Sequence, residues 1–435
     1  MNRYLNEKSE GFLETKLNKK SNTEQEIEII IPWSEVGKDY EKYFNNYSKK
    51  IQIKGFRSGK VPKAIVEKQY GSAIEWEFIK ENFWEYYSKA IKKEKIKPIN
   101  QPQISDVDFQ KGKQLSVTFQ FQILPEWELP KYKDGFKINK DYYKFTDKDI
   151  DGAILELQRK IAKEKDTKAP AKNGDHIIGE SQKVNKDDKP IGEIQKIDII
   201  VGEGFASGKP GKKLEGINIG EARIIEIVDT KDKKIINKYS ITPTSIKEYD
   251  LPKLDIDFFQ KINPDVKTLN ELKKDAKINL EKYWDKQVND TVKENISDYF
   301  VNELSELELP SDMVNDYLDR VFEDEKQRNP EIKDEYRDSY KKNMNVMGQK
   351  IIKWALVKNK IIANEKIEAN DDDIQKKIDE LLEPMKDEEQ LDMYKKYYES
   401  KEVKNNLKEQ IVEEKLMEHI KEFVKYKKNK VDNIF

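Results

Sequence analysis

Charge outweighs apolar content in this chain: Asp, Glu, Lys and Arg make up 38% of its 435 residues and hydrophobic residues 36%. A single compact core of that length would draw on more apolar side chains. The balance therefore predicts two to four small domains and long, solvated helices in an elongated molecule. Opposite charges nearly cancel, to a formal −2, so the chain as a whole is no general polyanion binder. Any nucleic-acid contact must come from a local patch.

Several function classes fall away at once. The chain has no cysteine, which excludes disulfides, thiol nucleophiles and thiolate zinc sites. Its two histidines, His176 and His419, lie far apart in sequence, so a histidine-rich metal site is excluded and no metal or other cofactor is expected. The first twenty residues mix Glu and Lys without an apolar segment of the signal-peptide kind. No run of about 18 apolar residues is present, so no membrane span is expected and the cytoplasm is the expected location.

Periodicity divides the rest. Residues 1–22 are polar and read as a loose first segment. Ile27, Ile29 and Ile31 alternate up to Pro32 as a strand. A helix capped by Ser34 follows, with Val36, Tyr40, Tyr43, Phe44, Tyr47 and Ile51 on one face, stopping near Gly55. Pro62 suits a first helical residue, and another helix is predicted from about Ser72 to Lys95. A hairpin then pairs Ile104–Phe109 with Lys113–Leu124 about a Lys111-Gly112 turn. Pro125 to Pro130 reads as an extended linker, and Thr146 or Asp147 caps a helix bearing Ile150, Ile154, Leu157 and Ile161. Glycines crowd residues 167–250 between short strands such as Ile197–Val201 and Arg223–Val228. From Leu251 the pattern is helical almost to the end, with breaks at Leu309-Pro310 and near Pro330, Asn370 and Pro384.

The segment Gly55-Phe56-Arg57-Ser58-Gly59-Lys60-Val61-Pro62 stands out between two helices. Two glycines let the backbone turn sharply, which leaves Phe56 on a tip flanked by Arg57 and Lys60. An aromatic beside an arginine is the composition of a binding hot spot, and the cations suit phosphate oxygens or carboxylates. Burying Phe56 in a partner contributes about 1.5–3 kcal/mol. The competing reading is an ordinary turn with Phe56 tucked into its own core.

This segment resembles the Gly-Phe-Arg-x-Gly-Lys-x-Pro signature of trigger factors, bacterial chaperones of the ribosomal exit tunnel. Further stretches are similar to that family: Phe145–Asp151, Leu214–Glu221, Leu251–Leu254 with Phe258, Leu309-Pro310 with Met313 and Val314, Lys360–Ile374 and Tyr398–Val424. The resemblance implies an α+β multi-domain chain. Its parts are an N-terminal α+β ribosome-binding module at 1–126, an extended linker and helix at 127–166, a small β-rich FKBP-like middle domain at 167–250, and an elongated all-α chaperone body at 251–435. It assigns ribosome docking to Gly55, Phe56, Arg57, Ser58, Gly59 and Lys60. The family often carries Lys where this chain has Ser58, which thins the charge. The implied partners are the large ribosomal subunit near its exit tunnel, through protein and ribosomal RNA, and nascent or unfolded polypeptides. A weak homodimer is a further expectation.

The family's middle domain resembles FKBP-type prolyl isomerases, whose apolar, aromatic-lined pocket eases rotation about a partial double bond without a nucleophile. Here those walls look replaced. Ser207-Gly208-Lys209-Pro210-Gly211-Lys212 stands where the family has Ile-Pro-Gly-Phe-Glu-Glu, an Asp-Phe pair falls near Glu180-Ser181, and a tyrosine-bearing flap shortens to a charged turn at Asp229–Lys234. Ile177 and Ile178 persist. The expectation is a degenerate pocket region around Ile177, Glu180, Ser181, Phe205, Ser207 and Pro210 with weak or absent turnover. A shifted register that makes Phe205 a pocket wall is the alternative.

Six of the seven methionines, Met313, Met344, Met347, Met385, Met393 and Met417, fall in the helical body. Flexible Met side chains suit adaptable binding, and they equally fill gaps in cores. Met313, Met344, Met347, Trp354 and Met393 are the client-binding candidates. Other signals are weaker. Gly202-Glu203-Gly204 lacks a phosphate-loop lysine, Asp371–Asp373 read as acidic first-turn residues, Asp175-His176 lacks a nucleophile and reads as a surface pair, and Lys425, Lys427, Lys428 and Lys430 read as a solvated helix end. Three functions stay open: an ATP-independent chaperone, an active prolyl isomerase, and a non-catalytic helical adaptor.

Overall fold

The computed structural model describes residues 13–57, 60–228, 236–383, 385 and 387–431. It is a multi-domain α+β protein. The chain gathers into two compact units. One joins the residues up to Phe136 with Asn295–Val424; the other joins Lys137–Glu294 with the residues from Lys425 on.

In the first unit, strands β1 (Glu14–Lys19) and β2 (Glu24–Pro32) lead into helices α1 (Trp33–Lys50) and α2 (Lys63–Glu94), then β3 (Gln103–Gln110) and β4 (Gln114–Gln122). The antiparallel sheet runs β1-β2-β4-β3. Ile27, Ile29 and Ile31 of β2 face Phe119, Val117 and Leu115 of β4. With Val36, Tyr40, Phe44, Ile74, Phe78 and Ile79 from the helices they form one core, which is the alternation of the strands meeting the apolar stripes of the helices.

Three expectations change here. Residues 14–19 form a strand on the edge of the sheet instead of a loose segment. Helix α1 starts at Trp33 after Pro32, with no side-chain cap, so Ser34 lies inside the first turn. The second helix is one continuous rod from Lys63 through Gly71, because nothing at Gly71 or Ser72 breaks it.

Strand β5 (Phe136–Tyr142) begins on the last residue of the first unit's opening segment and leads into the second unit, followed by α3 (Asp147–Ile161). Thr146 and Asp149 form a reciprocal capping box at the start of α3. Strands β6 (Lys163–Thr167), β7 (His176–Val184), β8 (Gln195–Ile200), β9 (Arg223–Val228) and β10 (Ile236–Asp250) make a five-stranded antiparallel sheet, with the short helix α4 (Gly208–Leu214) packed on it. The long β10 pairs β9 with its first half and β6 with its second. Its register against β7 slips between Pro243 and Ser245, where proline has no N–H to offer.

The rest is helical: α5 (Ile256–Ile262), α6 (Leu269–Glu303), α7 (Ser311–Arg328), α8 (Arg337–Glu365), α9 (Asp371–Leu382), α10 (Glu388–Glu399) and α11 (Lys401–Lys421). In α9, Asn370 and Asp373 form a second capping box, and Asp371 and Asp372 stand beside Asp373 in the acidic first turn. The chain does not end as a lysine-rich helix. Val424–Lys430 is a strand, β11, paired with β5.

Within the first unit the N-terminal sheet is joined to the start of α7. Gln122 Nε2 donates to Ser311 Oγ at 2.9 Å, Asp312 N donates to Gln122 Oε1 at 3.0 Å, and Asn100 Nδ2 donates to Asp312 Oδ2 at 2.6 Å. Nearby, Tyr132, Phe136, Tyr299, Phe300, Trp354 and Phe423 form a continuous aromatic cluster. Among the described residues no helix is long and apolar enough to cross a membrane, and no cluster of potential metal ligands is present.

Candidate functional site

The loop between α1 and α2 is pinned at both ends and open at its tip. Ile51, Ile53 and Val61 pack against the module's core. Phe56 N donates to Ile53 O at 3.0 Å and Lys60 N donates to Arg57 O at 2.9 Å, so the backbone folds back twice. Gly55 sits at φ +95°, a left-handed conformation that strains any residue with a Cβ. The turn leaves Phe56 42% exposed, with Arg57 and Lys60 exposed beside it. Phe56 is therefore not tucked into its own core. Between Glu41 and Glu67 the chain carries seven basic residues and no acidic one. The tip is thus an apolar ring in a positive field. Ser58 and Gly59 lie outside the described residues.

The β-sheet unit does not gather its six expected pocket residues. Ile177 is fully buried in an aliphatic core with Ile199, Val201, Leu214, Ile217, Ile225 and Ile241. Glu180 and Ser207 are exposed and Pro210 is half-buried in α4. Phe205 is 46% exposed. Ser181 alone of the six borders a shallow depression of about 300 Å³, shared with Lys183, Ile191, Gly192, Glu193, Gln195 and Tyr239. The segment 167–250 holds three aromatic residues, Phe205, Tyr239 and Tyr249, and Tyr249 is stacked on His176 at 6.1 Å. The charged turn at Asp229–Lys234 lies outside the described residues.

His176 is not on the surface. It is buried on β7, its Nδ1 2.9 Å from Glu164 of β6 and its Nε2 against Asp198 of β8. Hydrogen bonds from Lys247 and His176 bring the Glu164 carboxyl down to about 2. Arg159 of α3, also buried, bridges Glu156 and Glu203. Charged groups thus tie together strands β6, β7, β8 and β10, and join the end of α3 to the turn after β8.

The helical body separates its methionines. Met313 and Met344 pack between α7 and α8 against Val314, Leu318 and Ile352. Met417 is buried, and Trp354 lies 5.7 Å from Phe300 in the aromatic cluster. Met347 on α8 and Met393 on α10 are exposed, and each has exposed apolar company: Val346 and Ile351 beside the first, Tyr394 and Tyr397 beside the second. Helical spacing contains this signal, since 344, 348 and 352 form the inner face of α8 and 347 and 351 lie off it. Trp76 and Trp84 on α2 are likewise exposed aromatics that the sequence reading left unassigned.

An N-terminal α+β module with an exposed apolar-basic tip, a small β domain with an aliphatic core, and helices bearing solvent-facing apolar stripes are the architecture of a multi-domain protein with surfaces suited to binding. A family model described as "Bacterial trigger factor protein (TF)" matches residues 13–157, and one described as "Bacterial trigger factor protein (TF) C-terminus" matches residues 268–422. The chain belongs to the trigger factor family. Trigger factor of Marinobacter nauticus is 27% identical over 83% of this chain and 84% of that protein. Those of Chlorobium phaeobacteroides and Treponema denticola are 26% and 28% identical, each over 94% of this chain and 96% of the relative. A solved structure described as "Promiscuous Substrate Recognition in Folding and Assembly Activities of the Trigger Factor Chaperone" aligns over 94% of this chain and 98% of its own, at 17% identity and a TM-score of 0.46.

Proposed function

We propose that this protein is a ribosome-associated, ATP-independent chaperone that docks through Phe56, Arg57 and Lys60 and shields apolar segments of emerging chains. In this reading residues 1–126 are the ribosome-binding domain, 127–166 a linker, 167–250 an FKBP-like domain, and 251–435 the chaperone body working in the cytoplasm. The observation that carries it is the exposed Phe56 in a loop whose flanking sequence, 42–66, carries basic residues and no acidic one. A large apolar group held out of its own core gains by entering a partner's pocket, while the flanking cations select phosphate or acidic side chains. Replacing Phe56, Arg57 and Lys60 by Ala is expected to abolish ribosome co-sedimentation at low to moderate salt and to leave the unfolding midpoint unchanged. Ribosome binding that survives the triple change removes the loop from the mechanism.

The middle domain acts in this proposal as a scaffold with weak or no isomerase turnover. An FKBP-like site would need several aromatic walls around the proline ring; here the core is aliphatic, Phe205 is exposed, and Tyr239 is the one ring on the shallow depression beside Ser181. A proline-peptide isomerisation assay on the whole chain is expected to read near background. Turnover that drops on Phe205→Ala restores the alternative in which that ring is a pocket wall.

A further inference from the structure

Strands β5 and β11 form a two-stranded ribbon of their own. Phe136 N donates to Phe423 O at 3.2 Å at one end and Val431 N donates to Tyr142 O at 3.1 Å at the other, so the strands run the same way. At the near end Phe136 and Ile138 are buried. Alternation continues that face outward into Lys140, Tyr142, Tyr426, Lys428 and Lys430, all exposed. Cross-strand contacts agree with this assignment. Lys140 Nζ lies 5.3 Å from the Tyr426 ring centre and Lys428 Nζ 6.0 Å from that of Tyr142. The one carboxylate of the two strands, Asp141, lies on the opposite face, where it accepts from Asn429 Nδ2 at 2.7 Å. The result is a strip of three ammonium groups and two phenol rings, 53% and 41% exposed, with no acid on it.

We propose that this face binds single-stranded RNA, with the lysines on phosphates and Tyr142 and Tyr426 as platforms for two bases. Phosphates supply negative charge at the spacing of successive nucleotides, and every base offers a flat face for an exposed ring. An acidic peptide satisfies the lysines and leaves the rings unused. A duplex keeps its bases stacked out of their reach. The assignment is independent of the tip loop.

The test uses the full chain with Phe56, Arg57 and Lys60 already replaced by Ala, so that binding reads the ribbon. Anisotropy of a labelled, mixed-sequence single-stranded RNA oligomer is followed against salt. Changing Lys140, Lys428 and Lys430 to Gln is expected to lower the slope of log affinity on log salt by about 2. Tyr142→Ala and Tyr426→Ala should each weaken binding roughly 5- to 150-fold, with the Phe variants restoring it. The Phe variants also keep the test valid if an Ala variant unfolds. Absence of RNA binding in the starting protein, or an unchanged salt slope, overturns the proposal. Loss-free Tyr→Ala variants together with equal competition by poly-glutamate assign the face to acidic peptides and overturn it too. Ribosome sedimentation of the ribbon variants with the loop intact reads the loop, so failure of one proposal is distinguishable from failure of the other.

Discussion

At the scale of single residues, the ionic cluster around buried His176 makes the stability of the β-sheet unit depend on acid. Glu164 has its carboxyl pulled below the ordinary 4.5 to about 2, first by Lys247 and then by His176. A depressed carboxylate contributes stability that is present above about 4.5 and is lost as the pH falls toward 2. The side chain is about a third exposed, so solvent screens much of the effect. The unfolding midpoints of the chain and its Glu164→Gln variant should therefore converge as pH falls through this window while the chain stays folded. A gap independent of pH would contradict the assignment. None of this was legible in the sequence. His176 reads as a surface residue there, because the groups that bury it come from β6 and β8 and no local pattern announces them. By contrast Phe56, Arg57 and Lys60 were legible, since a helix-helix turn made of glycines forces whatever stands between them outward. Lys353 is another cation placed by distant chain. It is buried, donates to Leu304 O at 2.7 Å at the end of α6, and has its pKa lowered by that burial.

Secondary-structure elements show the same division between local and distant causes. Helix α3 was legible because its Thr146–Asp149 box and its Ile150, Ile154, Leu157 stripe are encoded within a few residues. The β3–β4 hairpin was legible through the clean alternation of β4 and the Lys111-Gly112 turn before it, although β3 carries a bulge after Ile104. Strands β1 and β11 were not, for their sequences are mostly charged or polar, with only Leu17 in the first and Val424 and Tyr426 in the second, and they exist by pairing with β2 and β5. Gly348 marks a contact of elements that helical periodicity hides. A Cβ there would meet Leu318 Cδ2 at 2.9 Å, so α7 and α8 approach each other across this glycine. Gly348→Val should cost about 1–3 kcal/mol by overpacking, read from urea denaturation. The paired Gly348→Val, Leu318→Ala variant should recover part of it. A neutral Gly348→Val would show that the helices separate freely.

For the molecule as a whole, the proposed chaperone function places client segments on the exposed apolar stripes of α8 and α10. Replacing Val346, Met347 and Ile351 by Ser should reduce suppression of client aggregation several-fold in a light-scattering assay, with stability held within about 0.5 kcal/mol because all three are exposed. Unchanged suppression would move client binding elsewhere, Trp76 and Trp84 on α2 being the next exposed aromatics. The connection of the N-terminal sheet to α7 has a consequence for the birth of the chain itself. Gln122 leaves the synthetic machinery about 190 residues ahead of its partners Ser311 and Asp312, which at about 5–20 residues per second is a wait of about 10–40 s. Through that interval the polar end of the first sheet stays unfinished, so this folding helper is for a time in the position of the chains it assists.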